Sequence, residues 1–199
     1  VESKEERARH LALAGSGPDE SVATELEAAA VTACRRGAHA TGAGLFEHAA
    51  NITPADRESE AARRLLSAAD AHFRVGDPDR ARQHLEMLVA RIGPVRFEAL
   101  WRLGLLLDET QGGEAPIEIF ERALETDDPA VASLAHRGLA QSLYFLGRLD
   151  RALDHADESV RAAEALVEQA TLAYALATQA FMRRLAGHPG WKQSLERGL

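Results

Sequence analysis

The sequence predicts an all-α protein built from repeated helix pairs, and three features indicate this fold class. Alanine (39 residues) and leucine (26 residues) make up about a third of the 199 residues, whereas aromatic residues contribute only 5%. Good helix formers therefore outweigh the β-branched and aromatic residues that strands favour. Glycines recur at regular intervals between apolar helical runs, and the seven prolines fall where helices would begin.

The glycine spacing predicts the repeat. Gly37, Gly76, Gly112, Gly147 and Gly187 are separated by 39, 36, 35 and 40 residues, and each follows one apolar run and precedes another. A glycine at that position suits the left-handed conformation that ends a helix before a tight turn. Periods of this length are typical of stacked helix pairs, which bury a core only together.

Proline positions predict where the helices start. Asp77-Pro78 and Asp128-Pro129 each combine an N-cap residue with a proline at the first helical position. The other prolines agree, with Pro18, Pro54, Pro94 and Pro189 at helix starts and Pro116 in a first turn. With the apolar periodicity, these signals predict helices at 2–14, 18–36, 40–52, 55–75, 78–92, 94–111, 114–126, 129–146, 149–165, 166–186 and 189–198.

Small and apolar residues recur at matching positions in four units, at 23–56, 62–95, 97–130 and 133–166, with a partial fifth at 173–199. In the first unit the series reads Leu26, Ala30, Gly37, Gly42, Phe46, Ala49 and Pro54. The pattern resembles the tetratricopeptide repeat, a helix pair of 34 residues. The resemblance implies a tetratricopeptide-like superhelix (an α-solenoid) of about 10–11 antiparallel helices over 21–199. Residues 1–20 would then be an N-terminal helix, the tail of a preceding module.

A second resemblance covers most of the chain and is strongest over residues 7–88. The matching residues are His10-Leu11-Ala12, Gly17-Pro18-Asp19-Glu20, Glu25-Leu26-Glu27, Arg36-Gly37-Ala38 and Thr53-Pro54. This segment resembles the stretch after the ATPase module in large ATP-binding LuxR-family regulators of the MalT type, as found in actinobacteria. The resemblance implies a cytoplasmic, non-catalytic sensor arm between a P-loop ATPase and a helix-turn-helix. ATP would then bind only in a separate upstream domain.

Charge and motifs exclude several function classes. The net charge is −8 and the chain lacks G-x-x-x-x-G-K-[ST], so we expect it to contact neither nucleic acid nor ATP. No apolar run approaches the roughly 18 residues of a membrane span, so we expect no membrane contact. We expect the chain to be a piece of a longer protein whose exposed end faces cause weak self-association.

Catalytic and metal sites are not predicted either. The eight histidines form no H-E-x-x-H, and none lies at zinc-ligand spacing from Cys34, the single cysteine. A catalytic thiol would need a base and an orienting group, which the sequence does not place near Cys34. We therefore predict no enzyme, no cofactor and no metal.

The concave groove of the array is the predicted binding surface. The repeat register assigns to it Arg63, Phe73, Arg74, Trp101, Leu105, Arg137, Gln141, Tyr144 and Tyr174. Aromatic platforms beside arginines suit sugars, peptides or acidic effectors. We expect Trp101, Arg137 and Tyr144 to be the main ligand contacts. Phe73, together with Phe145 and Phe181 in the same register, is equally compatible with core packing between units.

Two functions fit these observations. The first is the LuxR-type sensor arm, which binds an effector or partner protein in its groove. The second is a free-standing peptide-binding scaffold. The carboxylate clamp of peptide-binding co-chaperones is excluded, because Asn51 is the only asparagine and no lysine lies between Lys4 and Lys192. The sequence does not identify the effector, the target genes or the oligomeric state of an intact regulator.

Overall fold

The structure, a computed structural model, describes residues 17–91 and 93–198, and in this part of the chain all regular structure is helical. Ten α-helices and one short 3-10 helix (Ala55–Arg57) are present there. They are α1 (Glu20–Arg35), α2 (His39–Asn51), α3 (Glu58–Arg74), α4 (Pro78–Val89), α5 (Val95–Thr110), α6 (Ala115–Ala123), α7 (Pro129–Phe145), α8 (Leu149–Glu164), α9 (Gln169–Leu185) and α10 (Trp191–Arg197).

These helices confirm the all-α prediction. Each predicted helix from 18–36 onward corresponds to one observed helix. The predicted N-terminal helix at 2–14 lies outside the described residues. The chain forms two compact units that meet in sequence at residue 95. We refer to 17–91 and 93–95 as the first unit and to 96–198 as the second unit.

Local signals in the sequence set the helix ends. The side chain of Asp77 accepts a hydrogen bond from the backbone N–H of Arg80, and that of Asp128 accepts one from Ala130. Both aspartates therefore cap a helix that begins with proline, as predicted. The five repeat-spaced glycines all have positive φ, between 63° and 82°. Their left-handed conformation closes the turns between helices.

In the first unit, consecutive helices from α1 to α4 pack against each other. Their core is rich in alanine: a cluster of Leu26, Ala29, Ala30, Leu45, Phe46, Ala49 and Ala68 is buried. Small side chains let the helix backbones approach closely. At Gly42 of α2 the approach is closest, because a Cβ added there would lie 2.3 Å from Cys34 Sγ of α1.

In the second unit, a phenylalanine is wedged between two glycines. Phe120 of α6 is 1% exposed. A Cβ added to Gly104 of α5 would lie 2.6 Å from its Cε1 atom, and one added to Gly138 of α7 would lie 2.3 Å from its Cζ atom. Glycine at both positions therefore makes room for the ring. The small-residue and phenylalanine positions of the repeat pattern therefore pack against each other in this contact.

A buried arginine joins the helices of the first unit. Arg64 of α3 is 1% exposed, and its Nη2 and Nη1 atoms lie 2.7 and 3.0 Å from the two carboxylate oxygens of Glu20. Its Nε donates to Glu27 at 2.9 Å, and its Nη1 donates to the Thr53 hydroxyl at 2.5 Å. Hydrogen bonds from Arg64 hold the pKa of Glu20 below its ordinary value. The pairing ties α1 to α3.

Candidate functional site

A groove of about 800 Å³ lies within the second unit. Three helices, α5, α7 and α9, each the first of a helix pair, supply its walls. The lining residues are Leu105 and Glu109 of α5, Arg137, Gln141, Tyr144 and Phe145 of α7, and Tyr174, Ala177, Thr178, Phe181 and Met182 of α9. Most are spaced three or four apart along their helix, which places them on one helix face.

The structure brings together five of the nine residues that the sequence predicts for the groove. Leu105, Arg137, Gln141, Tyr144 and Tyr174 all line it. They come from three helices, so their proximity depends on how the pairs stack. Ligand binding by these residues stays a prediction.

The structure places Trp101 apart from these five residues, and its role as a ligand contact stays a prediction. Trp101 is not among the residues that line the groove. It is partly buried, and the guanidinium carbon of Arg102 lies 4.6 Å from the centre of its indole ring. The guanidinium of the neighbouring Arg102 thus lies over one face of the indole. Leu105, one turn further along α5, does reach the groove.

The remaining three predicted residues lie on α3 of the first unit. Arg63 is exposed and forms an ion pair with Glu27 at 3.1 Å. Phe73 is partly buried. Arg74 lines a smaller pocket of about 360 Å³ that also includes Cys34. Burial raises the pKa of the Cys34 thiol, although Arg74 opposes the shift, so the thiol stays protonated and weakly nucleophilic near neutral pH.

Exposed aromatic rings dominate the groove of the second unit. Phe145, Tyr174 and Phe181 are 75%, 64% and 50% exposed. Tyr144 connects two of them, because its ring centre lies 5.3 Å from that of Phe145 and 5.7 Å from that of Phe181, the latter edge-to-face. The interpretation of Phe145 and Phe181 as core residues is therefore wrong. Their rings offer apolar area to a binding partner.

Arg137 supplies the positive charge of the groove. Its guanidinium carbon lies 5.5 Å from the ring centre of Tyr174. Its Nε is buried without a hydrogen-bond partner, and no carboxylate of the described residues pairs with it. Burial lowers the pKa of Arg137, and Tyr174 opposes the shift, yet a guanidinium remains charged in proteins. Because Arg137 lines the groove, its charge lies where it can pair with a carboxylate of a ligand.

Sequence reasoning missed Glu109, the one carboxylate that lines this groove. Its spacing of four from Leu105 was the signal that places it on the same helix face. Reasoning from short motifs also missed a cluster in the first unit, where Glu47, His72 and His84 lie on three different helices. No local spacing connects these three residues.

Comparison with known proteins identifies the fold. No protein-family model and no curated protein matches this sequence. Solved structures do match. BtubC (BKLC) from P. vanneervenii has a TM-score of 0.73 at 17% identity, over 98% of this chain and 85% of that one. TPR-like repeats of a Podosopora anserina kinesin light chain have a TM-score of 0.65 at 15% identity, over 90% and 94% of the two chains.

A third similar structure contains a bound partner. The Rap protein complexed with Competence and Sporulation Factor has a TM-score of 0.72 at 13% identity, over 98% of this chain and 58% of that one. At these identities the similarity shows the fold alone. This chain has a tetratricopeptide-like helical-repeat fold. The finer resemblance to LuxR-type regulators stays a prediction from the sequence.

Membrane insertion has no candidate segment in the described ranges. None of the helices there combines the length and the apolar character that a membrane-spanning segment requires.

Proposed function

We propose that this chain is a non-catalytic binding module and that the groove of its second unit holds a peptide segment of a partner protein. The observation that carries the proposal is the set of exposed rings, Phe145, Tyr174 and Phe181, beside the guanidinium of Arg137, which forms no ion pair within residues 17–91 and 93–198. Aromatic residues and arginine are the side chains that contribute most to protein interfaces. The tetratricopeptide-like fold supports the same class of function.

The residues that line the groove favour a peptide that carries one carboxylate among apolar side chains. The rings of α7 and α9 would contact apolar residues of the peptide, and Arg137 would pair with its acid. A strongly acidic peptide fits less well, because the chain itself carries a net charge of −8 and Glu109 lines the same groove. We therefore propose a segment with a single aspartate, glutamate or terminal carboxylate between leucine-like or phenylalanine-like residues.

Two matched peptide libraries test this proposal. Both contain randomised leucine and phenylalanine positions; one has a central glutamate and the other a central glutamine. We expect the glutamate library to be retained more strongly, and Arg137→Gln to remove that preference. Arg161→Gln is the control, because Arg161 lies on α8, away from the groove lining, and pairs with Glu158 at 2.6 Å. Equal retention of both libraries would contradict the proposal.

The aromatic contribution has its own variant. Tyr174→Ala should weaken binding of both libraries at least about fivefold, because truncating an interface hot-spot residue costs more than about 1 kcal/mol. The preference for glutamate over glutamine should persist, although reduced, because Arg137 is still present. Unchanged binding of both libraries by this variant would assign the rings to another role.

We further propose that this module is the cytoplasmic sensor arm of a LuxR-type transcriptional regulator. The support is the sequence stretch that includes Gly17-Pro18-Asp19-Glu20 and Glu25-Leu26-Glu27. Part of this resemblance has a structural explanation, since Asp19 caps α1 while Glu20 and Glu27 pair with Arg64. Such capping and ion-pairing residues are expected wherever the same helix pairs recur. The stretch therefore supports a helix architecture shared with LuxR-type regulators more strongly than a shared function.

The reading frame that encodes this chain tests the finer proposal. A P-loop motif upstream and a helix-turn-helix downstream would support the regulator arm. A frame with neither would favour the alternative, a free-standing peptide-binding scaffold. The peptide libraries and the reading frame test independent claims, because a scaffold and a sensor arm can use the same groove.

A further inference from the structure

Three side chains from three consecutive helices of the first unit converge on one point. Glu47 lies on α2, His72 on α3 and His84 on α4. The Nε2 atoms of both histidines lie 2.8 Å from Glu47 Oε1, and one ligand atom from each of the three residues lies within 4.8 Å of the others. The imidazole ring centres are 5.7 Å apart with a tilt of 30°. Both rings therefore direct the same nitrogen to one carboxylate oxygen.

Some polar atoms of this cluster have no hydrogen-bond partner among the described residues. The side chains of His72, His84 and Glu47 are only 5%, 15% and 23% exposed. His84 Nδ1 is buried without a hydrogen-bond partner in the described part of the chain. His72 Nδ1 lies 3.9 Å from Asp77 Oδ2, which is beyond hydrogen-bond distance. Buried polar atoms are normally paired, so two imidazoles that share one oxygen call for a further explanation.

Helix packing holds the three residues in place. Helices α2, α3 and α4 pack in sequence, and a turn at Gly76 joins the last two. His72 of α3 is itself buried, with a relative exposure of 4%. A ligand set on packed helices is more precisely positioned than one on loops.

We propose that Glu47, His72 and His84 form a binding site for a zinc ion. Two imidazoles and one carboxylate are a donor set that zinc uses when it keeps a fourth position for water or another ligand. Zinc–ligand bonds of about 2.0–2.1 Å in a tetrahedral arrangement separate the donor atoms by about 3.3 Å. The two Nε2···Oε1 distances would therefore each open by about half an ångström.

Zinc also accounts for the second nitrogen of His72. When zinc takes the lone pair of Nε2, the ring proton resides on Nδ1, and a hydrogen bond to the Asp77 carboxylate forms if the present 3.9 Å separation shortens. A histidine ligand that donates its other N–H to a carboxylate is a recurrent feature of zinc sites. Calcium and magnesium are disfavoured, because they prefer an all-oxygen ligand set.

Metal titration of the full 199-residue chain, without a histidine tag and after treatment with a chelator, tests the site. We expect one equivalent of ZnCl₂ to bind by calorimetry and to raise Tm by several degrees, since zinc would link three helices. Co²⁺ should give visible absorption bands of a four-coordinate complex. MgCl₂ should have no comparable effect.

Two variants and one matched control assign the ligands. Glu47→Gln keeps the shape of the side chain but loses the anionic donor, and His84→Gln removes one imidazole. Each should weaken zinc binding at least about 100-fold, because even outer residues of zinc sites contribute about 10–100-fold. His48→Gln is the control, since His48 follows Glu47 on the same helix but is not in the cluster. It should bind zinc as the wild type does.

The proposal is overturned if the wild type shows no saturable binding of one zinc, or if both ligand variants bind zinc as tightly as the control. If a variant fails to fold, the imidazole ¹⁵N chemical shifts of the wild type decide. Zinc should move the Nε2 signals of two histidines, and an unchanged imidazole spectrum also overturns the proposal.

Discussion

Arg64 in the first unit and Arg137 in the second unit are two inward-facing arginines with opposite surroundings. Every nitrogen of the Arg64 guanidinium donates a hydrogen bond, and the acceptors belong to Glu20, Glu27, Thr24 and Thr53. Arg137 has a buried Nε without an acceptor and an aromatic ring, that of Tyr174, beside its charge. The first arginine links α1 to α3, whereas the second lines the groove, and its Nε has no acceptor among the described residues.

The same contrast extends to the apolar residues. In the first unit Phe46 is buried in an alanine-rich cluster. In the second unit Phe120 fills the core, but Phe145, Tyr174 and Phe181 stay exposed around the groove. Exposed rings in a cluster cost solubility, and proteins retain them where they bind partners. The two units share one repeat pattern but differ in which aromatic rings stay exposed and in which arginine has all its nitrogens hydrogen-bonded.

Arg64→Met should cause the largest loss of stability. The substitution removes the buried cation between Glu20 and Glu27 and leaves these partly buried carboxylates only the exposed Arg57 and Arg63, so we expect the free energy of unfolding to fall by about 3 kcal/mol. Urea unfolding followed by circular dichroism measures it. Arg63→Met is the control, because Arg63 is adjacent, exposed and paired with the same Glu27, and its loss should cost less than about 1 kcal/mol. Equal effects of the two variants would remove the special role of Arg64.

Gly138→Ala should destabilise the second unit by about 1–3 kcal/mol, because the new methyl group overlaps the Phe120 ring and the core must shift. Thermal and urea unfolding measure the loss. The control is Gly44→Ala on α2, where a Cβ meets no atom within 4 Å. There alanine should raise stability by about 0.5–1 kcal/mol, since only its helix preference acts. A stabilising effect at both positions would show that the Phe120 ring can move aside at little cost in free energy.

The second unit should also lose stability in mild acid. His136 Nδ1 and His155 Nδ1 are 2.9 Å apart, and burial, with the neighbouring His155, lowers the pKa of His136 to about 4. The unfolded chain takes up this proton near pH 6.5, so stability falls as the pH decreases from about 6.5 to 4. Without solvent screening this change in pKa would correspond to about 3 kcal/mol, and because His136 is only partly buried we expect a loss of about 1–2 kcal/mol.

His136→Gln isolates that contribution. Carboxylates titrate in both proteins, so the difference between wild type and variant reports the histidine. The wild type should lose more stability than the variant between pH 6.5 and pH 4 when urea unfolding is repeated across this range. Parallel pH curves would mean that the histidine pair takes up protons without cost.

Arg137→Met repeats the Arg64 substitution in the other unit and should have the smallest effect. Methionine forfeits a cation–π contact with Tyr174 but removes an unsatisfied buried N–H, so stability should stay within about 1 kcal/mol of the wild type. Urea unfolding by circular dichroism measures it beside Arg64→Met. A loss of 2 kcal/mol or more would mean that Arg137, too, is a structural residue.

The helices were predictable because their signals are local. Asp77 caps the helix that starts at Pro78, and Gly76 has the positive φ that ends the preceding one. Such signals act within a few residues and do not depend on the rest of the fold. The repeat spacing then predicted which helices pair, and the structures of similar proteins show the same tetratricopeptide-like fold.

The groove residues were predictable only in part, because the direction in which a side chain points does not fix how much of it is exposed to solvent. The register placed Leu105 and Trp101 on one face, yet the guanidinium of the neighbouring Arg102 lies over one face of the indole. Phe145 and Phe181 could equally have been core residues from their spacing, and their exposure was decided by where the neighbouring helices lie. Periodicity gives the direction of a side chain and not what covers it.

By itself, the sequence determined the helices, their ends and the repeat, since backbone preference and periodicity are properties of adjacent residues. Tertiary structure alone decided which polar groups meet. Arg64 pairs with residues up to 44 positions away, and Glu47 meets histidines 25 and 37 positions along the chain. Hydrogen bonds and metal ligation require ångström-scale placement of side chains from separate helices. That placement follows from how the alanine- and glycine-lined surfaces pack, which no spacing within a single helix specifies.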